Sequence, residues 1–265
     1  MVRRSRLDAE LVRRGLARSR GEAAALVSHG RVLVAGQPAG KPATAVTPET
    51  SLLLRDDADS PAYVSRGGTK LAGALHAFSV DVAGRRALDA GASTGGFTDV
   101  LLQWGASEVI AVDVGYGQLA WPLRNDPRVR VLERTNVRAL SPEHVGAPVD
   151  LVVADLSFIS LRLVLGALRA CAQDNADFIV LVKPQFEAGR DLVGPRGVVR
   201  DSDVRAAAVT NVALAAAKLG LGTAGVVASS LPGPAGNVEY FLWLRGDAPA
   251  VEESDVRRAI ECGPQ

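Results

Sequence analysis

From about Tyr63 onward, short apolar runs alternate with longer segments in which apolar residues recur every three to four positions. The runs are four or five residues long, as in buried strands, and the longer segments have the period of a helix. The clearest helical segments are Leu156–Ala170 and Val204–Leu219. This alternation predicts a largely parallel sheet covered by helices. The predicted strands are Ala87–Ala90, Val109–Val112, Val129–Leu132, Leu151–Ala154, Phe178–Val182, Gly225–Ala228 and Tyr240–Leu244.

The fold class predicted from this pattern is α/β, with a Rossmann-like sheet of seven strands. A loop rich in Pro and Gly joins the last two predicted strands, and it suits the variant of this sheet whose final strand runs antiparallel. The segment after Asp247 predicts only a short helix.

The first sixty residues follow a different pattern, which predicts a small α+β domain. Apolar residues from Leu7 to Leu16 have helical spacing, and Ser19 is placed to cap a second helix that ends at Gly30. Two short strands are predicted near residues 31–34 and 51–54, and the Asp- and Ser-rich segment Arg55–Pro61 reads as a linker. The predicted domains are therefore residues 1–60 and 61–265.

Positive charge is concentrated at the start of the chain. Residues 1–41 contain nine Lys and Arg against three acidic residues, a net charge of +6, whereas the whole chain carries only +1. Such a segment is either a solvated helix face or a site for a polyanion, because cations that meet phosphates release condensed counterions.

Several protein classes do not fit the sequence. The N-terminus lacks an apolar signal segment, and no stretch approaches the ~18 apolar residues of a membrane span. Cys171 and Cys262 are too few for a disulfide framework or a zinc site. We therefore expect a soluble cytoplasmic protein, monomeric by default and without an obligate protein partner.

A glycine-rich turn follows the first strand of the larger domain. Glycines let the backbone approach a ligand closely, and the helix that follows offers free N–H groups. A dinucleotide site would need a second glycine where Ser93 stands, so the turn favours the amino-acid portion of S-adenosylmethionine over a pyrophosphate. The candidate cofactor residues in this turn are Gly91, Ser93, Thr94, Gly95, Gly96 and Phe97.

Polar residues follow the next two strands. Asp113, with Val114 beside it, ends the second strand, where a carboxylate can accept both hydroxyls of a ribose. Asn136 follows the third strand and could bind the adenine edge. An ordinary tight turn with an unrelated surface acid is the alternative interpretation.

Charged residues also stand at the ends of three further strands. Asp155 and Lys183 follow apolar strands, and Glu239 precedes one. Doubly wound folds bind their ligands at such strand ends. Lys70 lies on the helix before the first strand. Taken singly, each of these residues is more often structural than catalytic.

Together these residues resemble a family. The whole chain looks like the TlyA family of ribosomal RNA methyltransferases, also called haemolysin A, and its larger part resembles the FtsJ-type ribose 2′-O-methyltransferases. The strings that carry the resemblance include Val64–Gly68, Asp113–Leu119, Val182–Glu187 and Gly236–Tyr240. The FtsJ type has a catalytic Lys-Asp-Lys-Glu tetrad, and the matching positions are Lys70, Asp155, Lys183 and Glu239. Thr94, Phe97 and Asn136 depart from the FtsJ pattern in ways that look usual for TlyA proteins.

The N-terminal domain is similar to the S-four domain, an RNA-binding fold named after ribosomal small-subunit protein four. Its pattern is followed by Arg6-Leu7-Asp8, Ser19-Arg20 and Gly30, among others. The resemblance implies that basic side chains meet phosphates of folded RNA. The candidate RNA-binding residues are Arg3, Arg4, Arg6, Arg18 and Arg20.

The two resemblances imply an enzyme that uses S-adenosylmethionine, and no metal, to methylate a ribose 2′-hydroxyl, expected on a cytidine of 16S or 23S ribosomal RNA. Lys183 would act as base or stabilise the alkoxide, with its pKa lowered by burial and by Lys70. Asp155 would orient Lys183 and the methyl donor, and Glu239 would hold Lys70 or the ribose. The alternatives are a haemolysin-like membrane-active protein, a nicotinamide oxidoreductase and a non-catalytic RNA-binding protein.

Overall fold

The computed structural model describes residues 4–28, 30–54 and 63–263. Arg3 and the predicted linker Arg55–Pro61 lie outside the described residues. The chain divides into two compact units, one up to residue 62 and the other from residue 63. Each unit is described by itself below.

The smaller unit packs two helices against short strands. Leu7 and Leu11 on α1 and Val32 on β2 are fully buried in its core. The predicted Ser19 cap is present, since the Glu22 N–H donates to Ser19 Oγ at 3.1 Å. The antiparallel order β3-β2-β5 forms one small sheet, and β1 pairs with β4. The elements are β1 (Ser5–Arg6), α1 (Leu7–Arg13), α2 (Arg20–Ser28), β2 (Val32–Val34), β3 (Gln37–Pro38), β4 (Ala45–Val46) and β5 (Leu52–Leu54).

The larger unit alternates strands and helices, as the sequence predicts. Its strands are β6 (Arg86–Ala90), β7 (Glu108–Val112), β8 (Val129–Leu132), β9 (Val149–Ala154), β10 (Ala172–Val182), β11 (Gly222–Ala228) and β12 (Tyr240–Arg245). Its helices are α3 (Arg66–Phe78), α4 (Gly96–Gln103), α5 (Trp121–Arg124), α6 (Pro142–Val145), α7 (Leu165–Ala170), α8 (Pro184–Glu187), α9 (Ser202–Ala217) and α10 (Glu253–Cys262).

These strands form one seven-stranded sheet in the order β11-β12-β10-β9-β6-β7-β8. β12 is antiparallel to both of its neighbours, and the other pairings are parallel. The predicted fold class is therefore confirmed. The strand order reverses at β6, between β7 and β9, and open α/β sheets bind ligands at such a switch point.

The sheet is buried on both faces, which explains why its strands are nearly continuous apolar runs. Alternate residues of β10 belong to different cores: Phe178 and Val180 pack on one face, and Ile179 and Leu181 on the other. The helices on either side complete the two cores.

The predicted helix Leu156–Ala170 is wrong in its first part. Residues 156–160 are irregular, a short 3-10 turn spans Leu161–Leu163, and α7 begins only at Leu165. Phe158 has a φ of +64°, which a helix cannot accommodate. Apolar spacing predicts which residues can face a core, but it does not reveal that a loop is required at this strand end.

Candidate functional site

Two cavities lie at the carboxyl ends of the parallel strands. The larger has a volume of about 480 Å³ and is lined by the loops that follow β6, β7, β8 and β9. The smaller, about 120 Å³, is lined by the glycine-rich turn and by Ser65 and Gly67. Gly91, Ser93 and Asp155 line both cavities, so the two are adjacent parts of one depression.

Two positions of the glycine-rich turn lie so close to neighbouring atoms that only glycine fits there. Gly91 has a φ of +90°, and a Cβ there would lie 2.5 Å from the Asp155 carbonyl oxygen. Gly96 begins α4, and a Cβ there would collide with Ser65 Oγ. Thr94 and Phe97 line the smaller cavity beside Gly96, whereas Gly95 faces Leu119 and does not line either cavity.

Asp113 lies in the wall of the larger cavity, at the end of β7. Its two carboxylate oxygens accept the Ser93 N–H at 2.8 Å and the Gly115 N–H at 2.6 Å. The acid therefore joins the glycine-rich turn to the next loop. Each oxygen keeps further acceptor capacity for a ligand.

Val114 and Asn136 also line the larger cavity, as the sequence predicts. Asn136 Oδ1 accepts the Arg138 N–H at 3.0 Å, which leaves its amide N–H groups to face a ligand. Sequence reasoning missed the other polar wall residues, Gln118, Thr135 and Ser157. Thr135 and Ser157 are indicated only by their positions after strands, whereas Gln118 also belongs to the string Asp113–Leu119 that carries the family resemblance.

The four tetrad residues form two ion pairs. Lys70 Nζ lies 2.5 Å from Glu239 Oε2, and both side chains are buried. Lys183 Nζ lies 2.5 Å from Asp155 Oδ1 and donates to Ser157 Oγ at 2.9 Å. The side chains of Lys183 and Asp155 are 11% and 24% exposed, so this second pair is open to a ligand.

Strand register explains why residues so distant in sequence meet. Val182 pairs with Tyr240 across the antiparallel β10–β12 ladder, so the next residue, Lys183, stands opposite Glu239. Asp155 follows β9, the parallel neighbour of β10 on its other side. From the sequence, Asp155 is expected to orient Lys183, and Glu239 to hold Lys70 or the ribose; the structure brings these side chains together as the two ion pairs.

Asp89, the penultimate residue of β6, is a fully buried acid that sequence reasoning assigned no role. Thr98 Oγ1 donates to its Oδ2 at 2.6 Å, whereas Oδ1 has no hydrogen-bond partner among the described residues. Burial raises the pKa of Asp89 to about 7, and the nearby Asp155 and Asp113 carboxylates contribute in the same direction. Asp89 thus lies near two acids that line the larger cavity.

Two exposed aromatic rings lie on the loops that line the larger cavity. Phe158, in the wall of the larger cavity, is 92% exposed, and its ring centroid lies 5.2 Å from that of Phe186. Tyr116, on the loop after β7, carries the Arg134 guanidinium 4.4 Å above its ring. Phe158 and Arg134 both have positive φ, and such strain is concentrated at functional sites.

In the smaller unit, two buried acids organise the arginines. Asp8 accepts hydrogen bonds from Arg6 and Arg20, which lowers the pKa of Asp8 far below its usual value. Glu10 is bound by Arg13 and Arg14, and these bonds hold the pKa of Glu10 at about 2. The predicted RNA-binding residues Arg4, Arg6, Arg18 and Arg20 are all exposed.

Comparisons with known proteins agree with this architecture. Residues 63–246 match the model of the FtsJ-like methyltransferase family, and residues 5–52 match the S4 domain, the S-four domain of the sequence analysis. The 16S/23S rRNA (cytidine-2′-O)-methyltransferase TlyA of Mycobacterium tuberculosis is 62% identical over 270 residues, with 100% of both chains covered. The chain belongs to the TlyA family.

Other members of the TlyA family carry a different name. Hemolysin A of Brachyspira hyodysenteriae is 34% identical over 237 residues, covering 89% of this chain and 98% of that one. A solved structure from Streptococcus thermophilus, named as a hemolysin, has a TM-score of 0.77 and 37% identity and covers 98% of this chain and 96% of its own.

Family membership makes the protein a methyltransferase, so the oxidoreductase and the non-catalytic alternatives are wrong. Among the helices in the described ranges, none has the length and apolar character needed to cross a membrane.

The raised pKa of Asp89 has a consequence for stability. The Asp89 carboxyl loses its proton near pH 3.8 in the unfolded chain and near pH 7 in the folded chain. Asp89 therefore lowers the free energy of unfolding as the pH rises between these two values. Asp89→Asn cannot ionise, and its amide oxygen can still accept from Thr98. We expect urea unfolding to show a more stable variant than wild type at pH 8, with the difference shrinking towards pH 4.

The control for this prediction is Asp126→Asn. Hydrogen bonds from Arg128 lower the pKa of Asp126, so this substitution should reduce stability at pH 8 instead of increasing it. Equal pH dependence of unfolding in wild type and Asp89→Asn would contradict the role given to Asp89.

Proposed function

We propose that this protein transfers the methyl group of S-adenosylmethionine to the ribose 2′-hydroxyl of a cytidine in 16S or 23S ribosomal RNA. The observation that carries the proposal is the accessible Lys183–Asp155 ion pair, which borders the depression at the sheet's switch point. The TlyA relative from Mycobacterium tuberculosis, identical at 62% of positions, has this activity in its name. A ribosomal RNA substrate implies that the enzyme works in the cytoplasm.

The depression has the size and chemistry that S-adenosylmethionine requires. A cofactor or small-ligand site of a few hundred Å³ with convergent polar groups is typical, and the two cavities have about 480 and 120 Å³. The donor carries a sulfonium and an ammonium, which suit a wall containing Asp113 and Asp155. The residues proposed to hold it are Gly91, Ser93, Thr94, Gly96, Phe97, Asp113, Val114, Asn136 and Asp155.

In this proposal Lys183 is the lysine that meets the reacting hydroxyl. The bound donor supplies a methyl group that is already activated on sulfur. The protein must orient the ribose for in-line attack and assist removal of one proton. Lys183 is paired with Asp155, which lines both cavities and is 24% exposed, whereas Lys70 is paired with the buried Glu239. We infer that Asp155 and Ser157 fix the Lys183 amino group, which in its neutral form accepts the hydroxyl proton as the ribose oxygen attacks the methyl carbon and the methyl–sulfur bond breaks, and that Lys70 and Glu239 support the neighbouring strand ends.

Two features support an RNA substrate. Residues 5–52 match the S4 domain, and their exposed arginines can bind phosphates. Beside the depression, the exposed ring of Phe158 and the Tyr116–Arg134 stack offer surfaces on which an unstacked base can lie. We propose residues 1–60 as the RNA-binding domain and 61–265 as the methyltransferase domain.

Removal of the Asp113 carboxylate should weaken cofactor binding. Asp113→Ala loses the hydrogen bonds to the donor's ribose and also those from the Ser93 N–H of the glycine-rich turn and the Gly115 N–H of the next loop. Hydrogen bonds to a charged group are worth about 1.5–3 kcal/mol, so we expect the dissociation constant for S-adenosylmethionine to rise about 10- to 100-fold. Isothermal titration calorimetry measures this. Asp126→Ala, an acid outside both cavity walls, serves as the control. Unchanged affinity in folded Asp113→Ala would remove Asp113 from the site.

Lys183→Ala should strongly slow methyl transfer, while S-adenosylmethionine and RNA still bind. General acid–base assistance is typically worth about 10²–10⁴-fold, and we expect a rate loss of that order in single-turnover assays with a tritiated donor. Lys183→Arg should not restore the rate, because guanidinium stays protonated. Recovery with arginine would assign Lys183 to charge stabilisation.

The controls separate the chemistry from the fold. Lys218→Ala, an exposed lysine after α9, should keep the wild-type rate. RNA with a 2′-deoxy group at the target must give no product, since product there would mean that a base is methylated. Near-wild-type turnover of Lys183→Ala would contradict the mechanism.

The exposed arginines of the smaller unit should determine how strongly RNA binding depends on salt. Among the described residues, Asp8 is paired with Arg6 and Arg20 and not with Arg4 or Arg18. Gln substitutions at Arg4 and Arg18 therefore remove positive charge without leaving Asp8 unpaired. We expect Arg4→Gln/Arg18→Gln to weaken RNA binding and to reduce the log–log salt slope by about one unit for each phosphate that the variant no longer neutralises. Filter binding across a salt series measures both. Lys218→Gln/Arg258→Gln, which removes two exposed cations of the larger unit, is the charge-matched control. An unchanged slope would mean that RNA binds elsewhere.

A further inference from the structure

Glu187 is a buried acid that the mechanism above does not use. It is the last residue of α8 and is only 6% exposed. Ser160 Oγ donates to its Oε2 at 2.6 Å, and the Leu161 N–H donates to its Oε1 at 2.6 Å. Arg162 Nε also lies 3.2 Å from Oε2. A carboxylate with three donors and little solvent contact holds the segment that carries those donors.

That segment is the loop after β9. Leu156, Ser157, Phe158 and Ile159 line the larger cavity, and Asp155 precedes them. The loop is therefore a wall of the cofactor cavity and also the support of the Lys183 ion pair.

The loop is fastened to α8 at both ends of this short helix. At the start of the helix, Lys183 contacts Asp155 and Ser157. At its end, Glu187 binds residues 160–162. Between these points, the Phe158 ring rests against Phe186. Loop and helix thus form a closed ring with two polar attachments.

The conformation of the 155–162 loop depends on its contacts with Lys183 and Glu187. Phe158 has a positive φ and is almost fully exposed, so its backbone strain is not offset by burial of its side chain. A strained residue persists only where the surroundings over-determine its conformation. The Glu187 attachment provides that constraint on one side of Phe158, and the Lys183 pair provides it on the other.

We propose that Glu187 is a positioning residue, which fixes the 155–162 loop on α8 so that Asp155 and Ser157 hold Lys183 in place beside the cofactor cavity. This inference rests on the proposed function. The attachment acts through hydrogen bonds, and the charge of Glu187 contributes little, because its cationic partner Arg162 is 44% exposed.

Two substitutions at Glu187 separate the contribution of its hydrogen bonds from that of its charge. Glu187→Ala removes all three interactions. Glu187→Gln keeps an oxygen for the Leu161 N–H and can donate to Ser160 Oγ in place of Arg162 Nε, so it keeps a contact with residues 160 and 161 but loses the Arg162 pair and the acceptor of the Ser160 hydroxyl. With cofactor and RNA both saturating, we expect Glu187→Ala to slow single-turnover methylation about 100-fold, since a misplacement of about 1 Å can cost that much. Glu187→Gln should remain within about fivefold of wild type.

Asp177→Ala is the matched control. Asp177 is another buried acid on β10, 4% exposed, which accepts from Arg85 at 2.5 Å and from Trp243 at 2.7 Å. It lies on β10, six residues before Lys183, which directly follows that strand. Loss of this acid should lower the unfolding midpoint but leave the saturated rate unchanged. All rates are measured below the lowest midpoint. If Glu187→Ala does not fold, Ser160→Ala removes one attachment and must still slow the reaction.

Hydrogen–deuterium exchange provides a readout that does not depend on activity. Glu187→Ala should lose protection in the 155–162 peptide, and Glu187→Gln should keep it. A wild-type saturated rate in Glu187→Ala, an equal loss in Glu187→Gln or an equal loss in Asp177→Ala would each overturn the proposal, as would unchanged protection. If wild type itself does not methylate RNA, the proposed function fails, and the exchange pattern still decides whether Glu187 holds the loop.

Discussion

Four charged side chains lie at the end of the sheet where the parallel strands have their carboxyl termini. They can be held there because they form two ion pairs, Lys70–Glu239 and Lys183–Asp155. Removing a charge from water is costly unless an opposite charge and hydrogen bonds replace the solvent. Lys70 and Glu239 are buried and 169 residues apart in sequence, so their ion pair joins α3 to the start of β12. The Lys183–Asp155 pair instead borders the cavity, where a ligand hydroxyl can compete for the ammonium. The buried Lys70–Glu239 pair and the more exposed Lys183–Asp155 pair together fix the position of Lys183, while Asp155 remains in the cavity wall.

Much of the fold is predictable because it follows from periodicity. Each of the seven predicted strands lies within an observed one, since strands buried on both faces must be apolar runs. The pattern is less informative where function replaces packing. Residues 156–160 look helical by spacing but form a cavity wall, and Phe158 adopts a conformation that no local rule anticipates.

The candidate site shows the same division. Strand ends and the glycine-rich turn indicate where ligands lie, so Asp113, Asn136 and Asp155 are predictable from sequence and line the cavity. The pairing of each lysine with its carboxylate is expected from the family resemblance, whereas its geometry depends on the register of strands that are distant in sequence. Glu187 ends the string Val182–Glu187 that carries the family resemblance, but its partners cannot be predicted from that string, because its donors belong to a loop about 26 residues away.

Net charge is a poor measure of how many cations the smaller unit offers to a polyanion. Asp8 and Glu10 are buried beneath four arginines, so part of the formal charge of this unit is already compensated internally. The guanidinium has five donors, however, and Arg6 uses only two of them on Asp8. Binding to a buried carboxylate fixes the plane of the exposed guanidinium and reduces the entropy lost when it meets a phosphate. The buried acids therefore lower the net charge while they orient the arginines that remain exposed.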